Sequence, residues 1–126
     1  MITCDCGGSN GNKTRLWKYQ LSQLAKRIGF EIHVSHFPPG TSKWNKVEHR
    51  LFCYISKNWQ GKPLVNIETA ISLIGSTMTS TGLKVICQRD DTVYELAKKI
   101  SDEGFDSINI KKIVPFGNWN YILKAK

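Results

Sequence analysis

Apolar and polar positions along the chain fall into two kinds of period, and their order defines the elements. Met1-Ile-Thr-Cys-Asp-Cys6 reads as the end of a strand, followed at once by the permissive loop Gly7-Gly-Ser-Asn-Gly-Asn12. Trp17, Leu21, Leu24 and Ile28 then recur at helical spacing, which predicts a helix from Lys13 or Thr14 to Ile28 with Gly29 as its stop. Phe30 to Phe37 reads as a second strand, closed by Pro38-Pro-Gly40. Thr41 or Ser42 should cap the next helix, in which Trp44, Leu51, Phe52, Ile55 and Trp59 make an apolar stripe and Lys43, Lys46, Arg50 and Lys57 the opposite face. Beyond the break at Gly61-Lys-Pro63, Asn66 should cap a helix through Ile67, Ile71 and Ile74, and Ser76 to Gly82 makes a polar link. Leu83 to Gln88 is predicted as a strand, Thr92 to Ser101 as a short helix and Ile108 to Val114 as a weaker strand. The aromatic Phe116 to Leu123 is expected as an edge strand or packed tail.

Strand, helix of about four turns, strand is the pattern of a right-handed parallel crossover, which puts both strand ends on one edge of the sheet. Ligands of open α/β sheets collect at that edge. Asp5 stands there, and the Glu48 helix returns from it. On an ideal helix of about 100° per residue, Glu48 falls in the middle of the apolar stripe. A carboxylate buried there needs compensation by a basic side chain such as Lys13 or Arg15, by a proton, or by a metal ion. Asp5, before a glycine-rich turn, suits either a carboxylate presented to a ligand or an aspartate bonded to its own turn.

Composition narrows the partners more than the fold. The 126 residues are enough for one domain with a sizeable core. A surplus of 18 Lys and Arg over 10 Asp and Glu, giving +8 spread along the chain, favours a polyanion, nucleic acid first. No apolar run is long enough for a bilayer and the start lacks a leader pattern, so a soluble cytoplasmic protein is expected, nucleoid-associated when bound to DNA. Four cysteines, two of them one residue apart in a strand, read as reduced thiols, and Cys4 and Cys6 face opposite sides as a poor zinc pair. The glycine loop misses a phosphate-binding loop by one glycine, at Asn12, which argues against a nucleotide hydrolase.

Three blocks carry a resemblance: Asp5-Cys-Gly-Gly-Ser-Asn-Gly11, His36-Phe-Pro-Pro-Gly-Thr-Ser-Lys-Trp-Asn-Lys-Val-Glu-His-Arg-Leu-Phe52 and Ile74-Gly-Ser-Thr-Met-Thr-Ser-Thr-Gly-Leu83. Together they resemble the DDE transposase domain of bacterial insertion sequences, of the Rhodopirellula-type group. That resemblance implies a ribonuclease-H-like fold of the retroviral integrase superfamily. It also implies DNA cleavage at transposon ends and strand transfer, with two Mg2+ or Mn2+ ions held by three carboxylates. Asp5 matches the second aspartate and Glu48 the final glutamate, as catalytic residues and metal ligands. The first aspartate has no counterpart here and belongs on a strand upstream of Met1.

The expected fold class is therefore α/β, a partial ribonuclease-H-like core in residues 1–60 with a small α+β extension in 61–126. The strand edge left without its central neighbour invites pairing, so a homo-oligomer is expected. Lys13, Arg15, Lys43, Asn45, Lys46 and Arg50 are the candidate DNA contacts, and His36 and His49 suit either contact with phosphate or, the commoner case, a hydrogen-bonded structural role. Trp17, Trp44 and Trp59 are expected in the core. The chain alone is expected neither to nick nor to join DNA, and the alternative is a non-catalytic nucleic-acid-binding or assembly remnant.

Overall fold

The first strand, helix and strand form where the apolar spacing places them. In the computed structural model, which describes residues 1–95 and 98–126, β1 (Ile2–Cys4), α1 (Arg15–Ile28) and β2 (Ile32–His36) follow in order. β1 and β2 pair in parallel, with Ile2 opposite Val34 and Cys4 opposite His36, and α1 is the crossover such a pair requires. Gly29 ends α1 at φ 71°, its N–H donating to the Ala25 carbonyl at 2.9 Å, a left-handed turn that costs a glycine nothing in Cβ clash. Leu21 and Ala25 are buried, whereas Ile28, at the last helical position, is 44% exposed.

The tail of the chain completes the sheet. α4 (Asp102–Asp106), β3 (Ile110–Lys112) and β4 (Asn120–Leu123) bring the strand order to β1-β2-β4-β3, a mixed sheet with β4 antiparallel to both of its neighbours. The expectation of an edge strand or packed tail is thus corrected: β4 lies inside the sheet. Its alternating Tyr121 and Leu123 sit opposite Val34 and Ile32 and are fully buried, because a strand whose inward positions are both large and apolar gains most between two partners. Cys4, Leu21, Ala25, Ile32, Val34, Ile108, Tyr121 and Leu123 make one core, with Trp17 and Leu24 partly buried against it.

Two expectations for the later chain change. The helix expected over Thr92 to Ser101 is not present in residues 92–95 or 98–101, and residues 96 and 97 lie outside the described ones. Instead Ser101 opens α4: its Oγ accepts from the Gly104 N–H at 3.1 Å, and Asp102 and Glu103 stand in the first turn, where acidic side chains favour a helix start. Leu83 to Gln88 forms no strand beyond a single bridge between Met78 and Lys84. Leu83 and Ile86 remain 47% and 73% exposed, and without a partner ladder their alternation has nothing to bury against.

Residues 1–44 and 95–126 make one compact unit and residues 45–94 another. In the second, a π-helical segment (Glu48–Phe52) runs directly into α2 (Cys53–Trp59). It is followed by α3 (Ile67–Gly75), capped as expected by Asn66, whose Oδ1 accepts from the Thr69 N–H at 2.7 Å. The Asn58 amide ties α2 to α3 by donating to the Leu73 carbonyl at 2.5 Å. Among the described residues this unit buries Thr77 and Thr79 and no large hydrophobic side chain. The tryptophan expectation holds in part: Trp17 packs partly buried against the core of the first unit, Trp59 is half-buried, and Trp44 is corrected to 56% exposed.

Candidate functional site

β1 delivers Asp5 to the carboxyl end of the parallel pair. The carboxylate is exposed, and its Oδ1 accepts from the Gly7 N–H at 3.4 Å, a long bond within its own turn. The loop behind it is tightly wound. Gly8 takes φ 63°, the Gly11 N–H donates to the Gly8 carbonyl at 3.3 Å, and a side chain at Gly11 would meet the Cys6 carbonyl at 3.0 Å. Small residues here keep bulk away from the aspartate.

Beneath Asp5 lies a buried polar chain that crosses three strands. His36, 4% exposed at the end of β2, places Nδ1 at 2.9 Å from the Asp5 carbonyl oxygen and 3.3 Å from the Cys4 Sγ, while its Nε2 is 3.0 Å from the Tyr121 hydroxyl. A carbonyl oxygen only accepts, so Nδ1 carries the proton, and the arrangement in which every group finds a partner has Nε2 accepting from the tyrosine. Burial pushes the Cys4 thiol up to about 11 and the Tyr121 phenol up to about 12. Both therefore keep their protons at neutral pH. His36 is thus the hydrogen-bonded structural histidine expected of it, whereas nothing in the sequence pattern around Tyr121 marks that residue as its partner. The signal was the alternation Ile32, Val34, His36, which already put the imidazole on the inward face.

Glu48 departs from its expected setting. It opens the π-helical segment, in which the Cys53 N–H reaches back five residues to the Glu48 carbonyl. A turn that absorbs one extra residue rotates the positions before it by about 100° relative to an ideal α-helix. Glu48 consequently leaves the stripe and is exposed, so burial does not require that its charge be compensated. The stripe is itself only half sequestered, with Phe52 44% exposed.

The remaining candidates divide between the two units. In the first, Lys13 is exposed just before α1, and Lys43 is exposed in the short turn Ser42–Trp44. Arg15 is already engaged: it forms an ion pair with Asp102 and lies 5.0 Å from the centre of the Phe105 ring. In the second, Lys46 and Arg50 are exposed. Asn45 serves the start of its own helix, its Oδ1 accepting from the Val47 N–H at 3.4 Å and its carbonyl from the Glu48 N–H at 3.1 Å. Among the described residues no three His, Cys, Asp or Glu side chains gather as a metal-binding group, and no helix is long and apolar enough to cross a membrane. All four cysteines are unpaired thiols.

Residues 1–125 match the family model described as the Rhodopirellula transposase DDE domain, and the chain belongs to that family. No curated protein and no solved structure matches it.

Proposed function

We propose that this chain supplies two of the three metal-holding carboxylates of a transposase that cuts and joins DNA, with Asp5 and Glu48 as the ligands. The observation that carries the reading is the position of Asp5. It is an exposed carboxylate at the carboxyl end of a parallel strand, held by one 3.4 Å bond that a stronger ligand can displace at little cost. Its hard oxygens fit Mg2+ or Mn2+, and the exposure of Glu48 leaves its oxygens equally available. Ions held there would supply activation of an attacking oxygen and stabilisation of a leaving one in phosphodiester chemistry.

The residues themselves divide the other tasks. Lys13, Lys43, Lys46 and Arg50 would contact DNA phosphates, with Asn45 beside them, and Arg15 would do so in competition with Asp102. On this reading residues 1–60 are part of a ribonuclease-H-like core and 61–126 its extension. Support comes from the parallel β1–β2 pair and from the side of β1 that carries no partner among the described residues. That open edge is also where copies of the chain would pair.

Paramagnetic Mn2+ titration followed by amide line broadening tests the shared site. Broadening is expected around both Asp5 and Glu48, and Asp5→Asn should remove it at both. Broadening that ignores both carboxylates would refute the proposal. A second reading, a DNA-binding module without catalysis, is favoured by the exposed cations Lys13, Lys46 and Arg50. It predicts salt-sensitive DNA binding that survives the loss of either carboxylate.

A further inference from the structure

The β1–β2 ladder ends one residue before the chemistry begins. The Cys4 carbonyl accepts from the Phe37 N–H at 2.7 Å, the last backbone bond of the pair, and β1 stops there. Asp5 follows, and after it come Gly7 and Gly8, the second at φ 63°, where backbone freedom is greatest. A carboxylate on the first residue outside a ladder, beside glycines, would swing with its peptide plane. The structure places one side chain against that motion. The His36 Nδ1–H holds the Asp5 carbonyl at 2.9 Å, doing for this peptide what a further rung of the ladder would have done. His36 is in turn held from behind by the Tyr121 hydroxyl at 3.0 Å, and Tyr121 is wholly buried in β4. The ring therefore has little room to turn.

We propose that His36 is a positioning residue for Asp5: fixed by Tyr121, it sets the peptide plane that determines where the Asp5 carboxylate points. The inference rests on the reading of Asp5 as a metal ligand. Because backbone angles select the side-chain rotamers open to a residue, fixing the carbonyl narrows the directions the carboxylate samples before a metal arrives. Outer partners of metal ligands govern affinity by about 10- to 100-fold when removed. Cys4 is a bystander in this scheme, its Sγ being 3.3 Å from the same nitrogen with the carbonyl as the better acceptor.

Two isosteric substitutions separate positioning from general support of the fold. The amide nitrogen of His36→Asn stands in for Nδ1 and keeps the bond to Asp5 while losing Tyr121. The amide of His36→Gln reaches the Nε2 position and keeps Tyr121 while losing Asp5. Both variants are examined in the full chain by thermal unfolding and by Mn2+-induced broadening of the Cys6 and Gly7 amides, with Asp5→Asn as the reference for loss of the ligand. The expected result is that His36→Asn stays within about twofold of the native Mn2+ affinity and His36→Gln weakens it by about tenfold, whatever the order of their melting temperatures. In the absence of metal, the Cys6 amide should move in His36→Gln and hold its place in His36→Asn. Equal affinities in the two variants, or affinities that simply follow stability, would overturn the inference while leaving the Asp5 reading intact. If the native chain shows no broadening that Asp5→Asn removes, the ligand reading fails and the positioning role falls with it.

Discussion

A buried imidazole between a phenol and a backbone carbonyl has one arrangement that satisfies all three groups, and the protein adopts it. Tyr121 donates to His36 and His36 donates to Asp5, so the chain of bonds runs from the middle of the sheet to the strand end that carries Asp5. This polarity depends on Tyr121 keeping its proton. Burial raises the phenol from the ordinary 10.0 to about 12, which means that the unfolded chain ionises first. The stabilisation is therefore complete below about pH 10 and is lost as pH rises through about 12. Ultraviolet titration should show one late tyrosine step that Tyr121→Phe abolishes. Urea unfolding of the native protein should weaken between those pH values more steeply than that of the variant. At neutral pH Tyr121→Phe leaves the Nε2 acceptor of a buried histidine without a donor, a loss of about 1–3 kcal/mol.

Among the elements, β1 is the shortest to carry so much consequence: three residues, paired on one side by β2. Cys4 turns its backbone toward β2, as its bond with Phe37 shows, and alternation turns the N–H and C=O of Thr3 outward. If copies associate through this edge, Thr3→Pro removes the outward donor and leaves the inward rungs intact, since proline is tolerated on an edge strand. Sedimentation should then report a dimer for the native chain at tens of micromolar and a monomer for the variant, with the melting temperature nearly unchanged. A native monomer would dispose of the edge-pairing idea. The elements that sequence pattern located well, α1, β2 and the Asn66 cap, are those whose local signals agree with their burial: a stripe ended by Gly29, an alternation of Ile32, Val34 and His36, a cap with its acceptor in place. Where pattern and structure part, the cause is non-local. Nothing near Asn120 announces that Tyr121 and Leu123 will lie between two strands, because their partners are at Ile32 and Val34 and at Ile110 and Lys112. For the candidate site, Asp5 was legible from its strand end and glycines. The exposure of Glu48 was not, because a single wide turn breaks the fixed angular step of an ideal α-helix.

On the scale of the whole molecule, a net charge of +8 says that a polyanion will be attracted without saying which cations touch it. Salt dependence can tell them apart. Each phosphate neutralised by a lysine or arginine releases condensed counterions, so the logarithm of the affinity falls with the logarithm of salt by about 0.9 for every contact on duplex DNA. Lys13 and Lys46 are exposed, whereas Arg15 has Asp102 as a partner and the Phe105 ring beneath it. Phosphate contact through Arg15 must first displace a carboxylate, which cancels part of the gain. Lys13→Gln and Lys46→Gln should therefore each lower the slope for duplex binding by about 0.9, and Arg15→Gln by clearly less. Arg15→Gln should instead loosen the contact between the start of α1 and α4, seen as faster amide exchange across Asp102–Asp106. Slopes that fall equally for all three would mean that bulk charge, rather than these particular positions, governs the interaction with DNA. A native slope near zero would remove duplex DNA as the partner altogether.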